Sequence, residues 1–170
     1  RSVPAIEMAR TGSKGVRRRA SRLAAVQALY QMEIANKSVE VAIADFRERR
    51  LSGLVEGEDV VTPENVDEEL FIDIVEGVAA AWKRYDGLID GALEKERGIY
   101  RIEVLLRLIL RAGAYELTDR PDIDAPLSIN EYVGVSQAFF GGSEPNFVNG
   151  VLDRMARELR LSENAGDGKG

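Results

Sequence analysis

The sequence predicts an all-α fold of six or seven helices. Apolar residues recur at helical spacing along most of the chain. Sustained alternation of apolar and polar residues, which is typical of a strand, is missing from the sequence. The chain has 170 residues, of which 45% are hydrophobic and 31% charged, so it can bury a core and keep a solvated surface.

The composition narrows the classes of function, because the chain contains no His and no Cys. The missing Cys excludes disulfides, zinc fingers and thiol nucleophiles, and the missing His excludes Ser-His-Asp triads and most zinc sites. Catalysis would have to use carboxylates, Lys, Ser, Thr, Tyr or Arg. We therefore expect binding rather than catalysis, and no cofactor is predicted.

No apolar stretch approaches the roughly 20 residues that span a bilayer. No signal-peptide core follows the basic start of the chain. The sequence thus predicts a cytoplasmic protein without a membrane partner.

A basic arm precedes the first predicted helix. Residues 1–22 hold seven Arg or Lys against Glu7 alone, a net of +6 in a chain whose formal net charge is −6, so the remainder carries −12. Residues 1–16 are predicted to form a flexible basic arm. The apolar stripe of the first helix consists of Leu23, Val26, Tyr30 and Ile34.

Two further helices are predicted in the first half of the chain. Residues 39–51 form the weaker candidate, and an acidic loop follows at 52–63. Residues 64–84 restart the helical pattern, which either continues to residue 93 or breaks near Gly87. The stripe of this third helix consists of Leu70, Ile74, Val75, Val78 and Trp82.

Three helices are predicted in the second half. Residues 101–117 are apolar around most of the helix circumference, which is typical of a central helix. Ser128-Ile129-Asn130-Glu131 matches a capping box that would begin the next helix, and Gly141-Gly142 would end it. Ser143 can cap the last helix, and residues 162–170 are predicted to be a disordered tail.

Four arginines lie at the start of the first predicted helix, where the macrodipole disfavours cations: Arg17, Arg18, Arg19 and Arg22. No carboxylate lies four residues further along, and Arg18 and Arg22 repel each other as i, i+4 neighbours. RNA or DNA phosphate would supply the missing anion, because Arg binds phosphate through two hydrogen bonds. A solvated arm, or pairing with the protein's own acidic surface, is the alternative that charge alone leaves open.

Two other features could carry chemistry. Glu69, Asp73 and Glu76 share one helical face and could hold Mg²⁺, but a solvated face is the simpler interpretation, so no metal site and no catalytic residue is predicted. Gly150 lies within a helical pattern, where Gly costs about 1 kcal/mol relative to Ala. Close helix packing, or the close approach of a ligand, would explain it.

Five segments between about residues 17 and 160 resemble the NusB family of transcription antitermination factors. They occur in the family's order and spacing, which makes the resemblance highly specific. The segments are 18–30 (RRASRLAAVQALY), 71–78 (FIDIVEGV), 110–117 (LRAGAYEL), 129–131 (INE) and 147–153 (FVNGVLD).

The resemblance implies one helical domain over residues 17–161, with two packed subdomains at about 17–85 and 86–161, and no enzymatic activity. It implies binding to the boxA element of nascent ribosomal RNA together with NusE, a small-subunit ribosomal protein, within an antitermination complex on RNA polymerase. Carried over by position, Arg18, Arg19 and Arg22 contact RNA, Tyr30 lies on the interaction side of the first helix, and Phe147 lies near the RNA path. Arg17 joins these residues by proximity.

The chain departs from the family pattern at two places. Residues 143–146 replace a family segment ahead of the FVNG string, and Leu106 stands where the family often has a Glu linked to the NusE interface. One alternative is a detached NusB-like module related to ribosomal RNA cytosine methyltransferases, although the chain lacks their glycine fingerprint and Cys. A protein-only helical adaptor is the other, and a homodimer formed by the basic arm and the acidic body is left open.

Overall fold

The computed structural model describes residues 14–48, 66–93 and 98–167. Within these ranges it contains six α-helices, one short 3₁₀ helix and no strand, which confirms the all-α prediction. The chain divides into two compact units, Arg1–Glu76 and Gly77–Gly170. The predicted loop at 52–63 and nearly all of the predicted arm lie outside the described residues.

Two helices open the first unit, α1 (Lys14–Ala35) and α2 (Val39–Arg47). Asn36 follows α1 with a φ of 52°, in the left-handed region that Asn tolerates. Ser38 then caps α2, because its side chain accepts a hydrogen bond from the backbone N–H of Val41 at 3.2 Å. This connection sets the direction in which α2 leaves α1.

The third helix, α3 (Glu68–Ala92), begins in the first unit. Asp67 caps it by accepting a hydrogen bond from the backbone N–H of Leu70 at 3.3 Å. Phe71 of α3 stacks on Phe46 of α2 with their ring centroids 4.1 Å apart, which closes the core of this unit.

The path of α3 differs from both sequence-based alternatives. Ala81 has a φ of −140° and a ψ of 27°, so the helix is interrupted there rather than near Gly87. Helical geometry then continues to Ala92. Along the chain, the boundary between the two compact units falls within this helix, between Glu76 and Gly77, whereas the family resemblance implied a boundary near residue 85.

The second unit is built around α4 (Val104–Asp119), which follows a 3₁₀ turn at Ile99–Arg101. All α4 residues from 105 to 116 are buried, as the apolar circumference of this segment predicted. α5 (Ala125–Phe139) and α6 (Glu144–Asp167) pack against α4 and against each other.

Two glycines allow close packing in this unit. A Cβ on Gly77 would lie 2.2 Å from the ring of Tyr115, and a Cβ on Gly113 would lie 2.8 Å from the Leu152 side chain. A side chain at either position would force its neighbour to move.

The start of α5 and the end of α6 differ from the sequence-based predictions. The predicted capping box at Ser128 is wrong, because α5 already begins at Ala125 and the buried Ser128 hydroxyl donates to Glu116 Oε1 at 3.0 Å instead. The predicted tail begins too early, since α6 runs to Asp167. Glu163 and Ala165 are good helix formers, which allows the last turns to propagate beyond the packed part of the helix.

Candidate nucleic-acid interface

The first two turns of α1 are attached to the chain just ahead of α3. The Arg17 guanidinium donates to the carbonyl oxygen of Val66 at 3.3 Å, and the buried Ser21 hydroxyl lies 2.7 Å from the carbonyl oxygen of Asp67. Both contacts lie within the first unit. They hold the arginine-rich part of α1 in a fixed orientation.

Arg18 and Arg19 lie between these two attachment points. Arg18 is half-buried, its Nε is buried without a hydrogen-bond partner, and it makes no ion pair with any residue in the described ranges. Arg19 and the neighbouring Lys14 are exposed. Since α1 has no acidic residue in its first turn, this end of the helix is positively charged by both its side chains and its dipole.

Arg22 is placed differently from the sequence-based prediction. Its side chain is only 2% exposed, and it is engaged by a neighbouring group of the protein. A guanidinium buried to this extent cannot reach a phosphate at the surface in this conformation. The structure thus keeps Arg17, Arg18 and Arg19 together as the accessible part of the predicted site and moves Arg22 into the interior.

The two aromatic residues of the predicted site are both half-buried. Tyr30 lies on α1, two turns beyond Arg22, in the first unit. Phe147 lies in the first turns of α6, in the second unit. Each offers part of a ring to solvent, which is what stacking on a base would need.

A surface of aromatic and arginine side chains lies in the second unit. Tyr100 is 72% exposed and covers the guanidinium of Arg107, whose Cζ lies 5.5 Å from the ring centroid. One turn further along α4, Arg111 lies 5.3 Å from the ring of Trp82, which is 38% exposed. We call these four residues the aromatic–arginine surface.

The sequence analysis missed this surface. Trp82 was assigned to the apolar stripe of its helix, but it follows the interruption at Ala81 and is partly exposed. A usable signal was the i, i+4 spacing of Arg107 and Arg111 within an otherwise apolar helix, because buried arginines need polar or aromatic partners. Leu106 is 8% exposed, so the position where the family often has Glu is mostly buried here.

Arg111 also connects the aromatic–arginine surface to the core of the second unit through a buried ion pair. Its Nε and one terminal nitrogen donate to the two carboxylate oxygens of Asp86 at 2.6 and 2.8 Å, and both side chains are buried. Next to this pair, the Tyr85 hydroxyl donates to Asp119. Burial, followed by that hydrogen bond, raises the pKa of Tyr85 well above its usual range, so the phenol stays protonated.

The acidic residues that share one face of α3 do not form a metal site. Glu69 and Glu76 are exposed, and across residues 14–48, 66–93 and 98–167 no group of three or more acidic side chains is placed to hold a metal ion. None of the helices in these ranges is long and apolar enough to cross a membrane.

Comparison with known proteins identifies the family. The NusB family model matches residues 19–157. The chain belongs to the NusB family. The transcription antitermination protein NusB of Bradyrhizobium sp. (strain ORS 278) is 44% identical over 155 residues, which cover 91% of this chain and 90% of that protein. The protein of the same name from Rhizobium johnstonii is 42% identical over 143 residues, covering 84% and 88% of the two chains.

A solved structure agrees with the sequence relatives. The structure of T. maritima NusB superposes with a TM-score of 0.65 at 27% identity and covers 82% of this chain and 90% of its own. NusB proteins are transcription antitermination factors and not enzymes, so the expectation of binding rather than catalysis agrees with the family. Because the relatives are matched over most of their length as NusB proteins, nothing favours the methyltransferase module.

Proposed function

We propose that this member of the NusB family binds boxA-type RNA through Arg17, Arg18 and Arg19, with Tyr30 and Phe147 contributing ring contacts. The observation that carries the proposal is Arg18, a half-buried guanidinium without an ion pair among the described residues. A cation that is partly removed from water and lacks a counter-charge is unfavourable until an anion arrives. A phosphate bound between Arg18 and the exposed Arg19 would supply that anion.

Single-stranded RNA suits this site better than a duplex. Two half-exposed aromatic rings can stack on unpaired bases, whereas the bases of an A-form duplex are closed to side chains. The basic residues form one short cluster on α1 rather than a long stripe, which fits a short RNA element.

The first test measures RNA affinity by fluorescence anisotropy at several salt concentrations. The Arg18→Ala variant should bind boxA RNA about 5- to 10-fold more weakly, and the salt slope should fall by about 0.7 because one phosphate contact is lost. Arg157→Ala is the matched control, since it removes the same charge from a side chain that is exposed and paired with Asp153. Equal losses in both variants, or equal binding of a scrambled RNA, would contradict the proposal.

The proposed protein partner is NusE, within the RNA polymerase antitermination complex. The aromatic–arginine surface supports this partner, because Trp, Tyr and Arg dominate the binding energy of protein interfaces. Tyr100 is largely exposed, and Arg107 and Arg111 beneath the two rings are held by the fold, so the surface is ordered before binding.

The second test measures NusE affinity by isothermal titration calorimetry. Tyr100→Ala should weaken binding by at least about 10-fold, because an exposed ring at an interface loses its whole contact area. Leu161→Ala is the control, since Leu161 is similarly exposed, at 68%, but lies near the end of α6. Unchanged NusE affinity in the Tyr100 variant would remove this surface from the proposed interface.

Two further expectations stay predictions. A cytoplasmic location follows from the proposed work on nascent RNA. A homodimer would need the basic start of α1 to pair with acidic residues of a second copy, and RNA would then compete with that pairing.

A further inference from the structure

A groove of about 220 Å³ lies in the second unit, between the first turns of α5 and the middle of α6. Its lining contains both polar and apolar residues. Two of the segments that carry the family resemblance, 129–131 and 147–153, meet here. The principal lining residues are Pro126, Ile129, Asn130, Asn149, Asp153 and Arg160, and we call the site the amide groove.

The two asparagines give the groove its chemistry. Asn130 and Asn149 lie inside helices, are exposed, and make no side-chain hydrogen bond to another residue in the described ranges. Asn is a poor helix former because its side chain competes with the backbone for hydrogen bonds. Each amide offers a donor and an acceptor, which is the pair that a peptide group requires.

Gly150 follows Asn149 in α6 but is not among the residues that line the groove. It is exposed within α6, and no heavy atom of the described chain lies within 4 Å of where its Cβ would be. Close packing inside the described structure therefore does not explain this glycine.

The charges favour a peptide over a nucleic acid. Asp153 pairs with Arg157 at 2.8 Å, whereas Arg160 has no ion pair among the described residues. Among the described residues the groove thus offers one cation without an ion pair, which suits one carboxylate better than a run of phosphates. Phe147, which is proposed to contact RNA, lies two residues before Asn149 and about 200° around the helix. The groove therefore faces away from Phe147.

We infer that the amide groove binds an extended segment of a protein partner. The amides of Asn130 and Asn149 hydrogen-bond its main chain, an apolar side chain packs on Pro126 and Ile129, and an acidic side chain pairs with Arg160. This inference does not depend on RNA binding by α1 or on the aromatic–arginine surface.

The test selects binders from a phage-displayed library of random 12-residue peptides on the full chain. The selected peptides should share an apolar residue close to Asp or Glu. Synthetic copies should shift the side-chain amide signals of Asn130 and Asn149 in ¹⁵N NMR spectra. The Asn130→Ala/Asn149→Ala variant and the Arg160→Glu variant should each bind them at least 10-fold more weakly.

The control is Asn164→Ala, which removes the same amide from an exposed position of α6 outside the groove. It should leave peptide affinity unchanged. The alanine variants should fold, because Ala is the better helix former at these positions. Peptides that bind all variants equally, or groove variants that lose boxA RNA affinity instead of peptide affinity, would overturn the inference.

Discussion

Replacing Asp86 with Ala is expected to lower the free energy of unfolding by about 3–5 kcal/mol, because it leaves Arg111 buried without its counter-charge. Both side chains are at most 10% exposed, and they share two hydrogen bonds of 2.6 and 2.8 Å. The loss is a large fraction of the 5–15 kcal/mol that is typical of a domain. Urea unfolding, followed by fluorescence, measures it directly.

Trp82 makes this measurement specific, because it is the chain's single Trp and lies over Arg111. Loss of the ion pair should also change the native emission of Trp82. Two controls separate the causes. Arg157→Ala breaks an exposed pair and should cost less than about 1 kcal/mol, and Asp86→Leu/Arg111→Met removes both charges and should cost less than Asp86→Ala. A single variant as stable as the wild type would show that the pair is not closed to water.

Much of the fold was predictable because helical periodicity reports burial over long segments. The stripe of α3 shows this: Leu70, Ile74, Val75 and Val78 are all buried. The pattern failed at Trp82, which is 38% exposed, although Tyr85 and Ile89 at i+7 and i+11 from Val78 are buried. Periodicity carries no information about the interruption at Ala81, one residue before Trp82.

Helix ends were less predictable than helix faces. Ser128 satisfies the capping-box pattern, but its hydroxyl is used by Glu116, a buried residue of another helix. A local pattern predicts only local partners. Because α5 begins three residues before Ser128, the N–H groups that a cap would satisfy bond within the helix, and the Ser128 hydroxyl donates to the buried carboxylate of Glu116. The same limit applies to the aromatic–arginine surface, whose members come from three separate segments.

The sequence predicted where the candidate RNA-binding arginines lie along the chain, but not how deeply each one is buried. The sequence shows four arginines near the start of α1, and charge counting treats them as equal. The run from Ser21 to Leu29 is buried on every side, and Ala24, Ala25 and Ala28 are the small residues that allow neighbours to approach this closely. That run begins before Arg22, so the last arginine of the cluster enters the core.

The difference in burial between Arg22 and the other arginines leads to a prediction about stability and RNA affinity. Arg22→Ala should lower the free energy of unfolding by about 2–3 kcal/mol, because it removes a buried, engaged guanidinium and leaves its neighbours unsatisfied. Arg18→Ala/Arg19→Ala should change stability by less than about 1 kcal/mol, since neither side chain is fully buried. RNA affinity should show the opposite order, with the larger loss in the double variant.

The free energy of unfolding and the RNA affinity should be measured on the same samples. Circular dichroism should show that the Arg22 variant is still folded under the conditions of the RNA measurement. Arg22→Lys keeps the charge but not the two-pronged geometry, so it should recover little stability if the buried guanidinium acts through hydrogen bonds. If Arg22→Ala instead kept full stability and lost RNA binding, Arg22 would have to leave the core when RNA arrives. The first turns of α1 would then rearrange on binding, although Arg17 and Ser21 tie them to the chain ahead of α3.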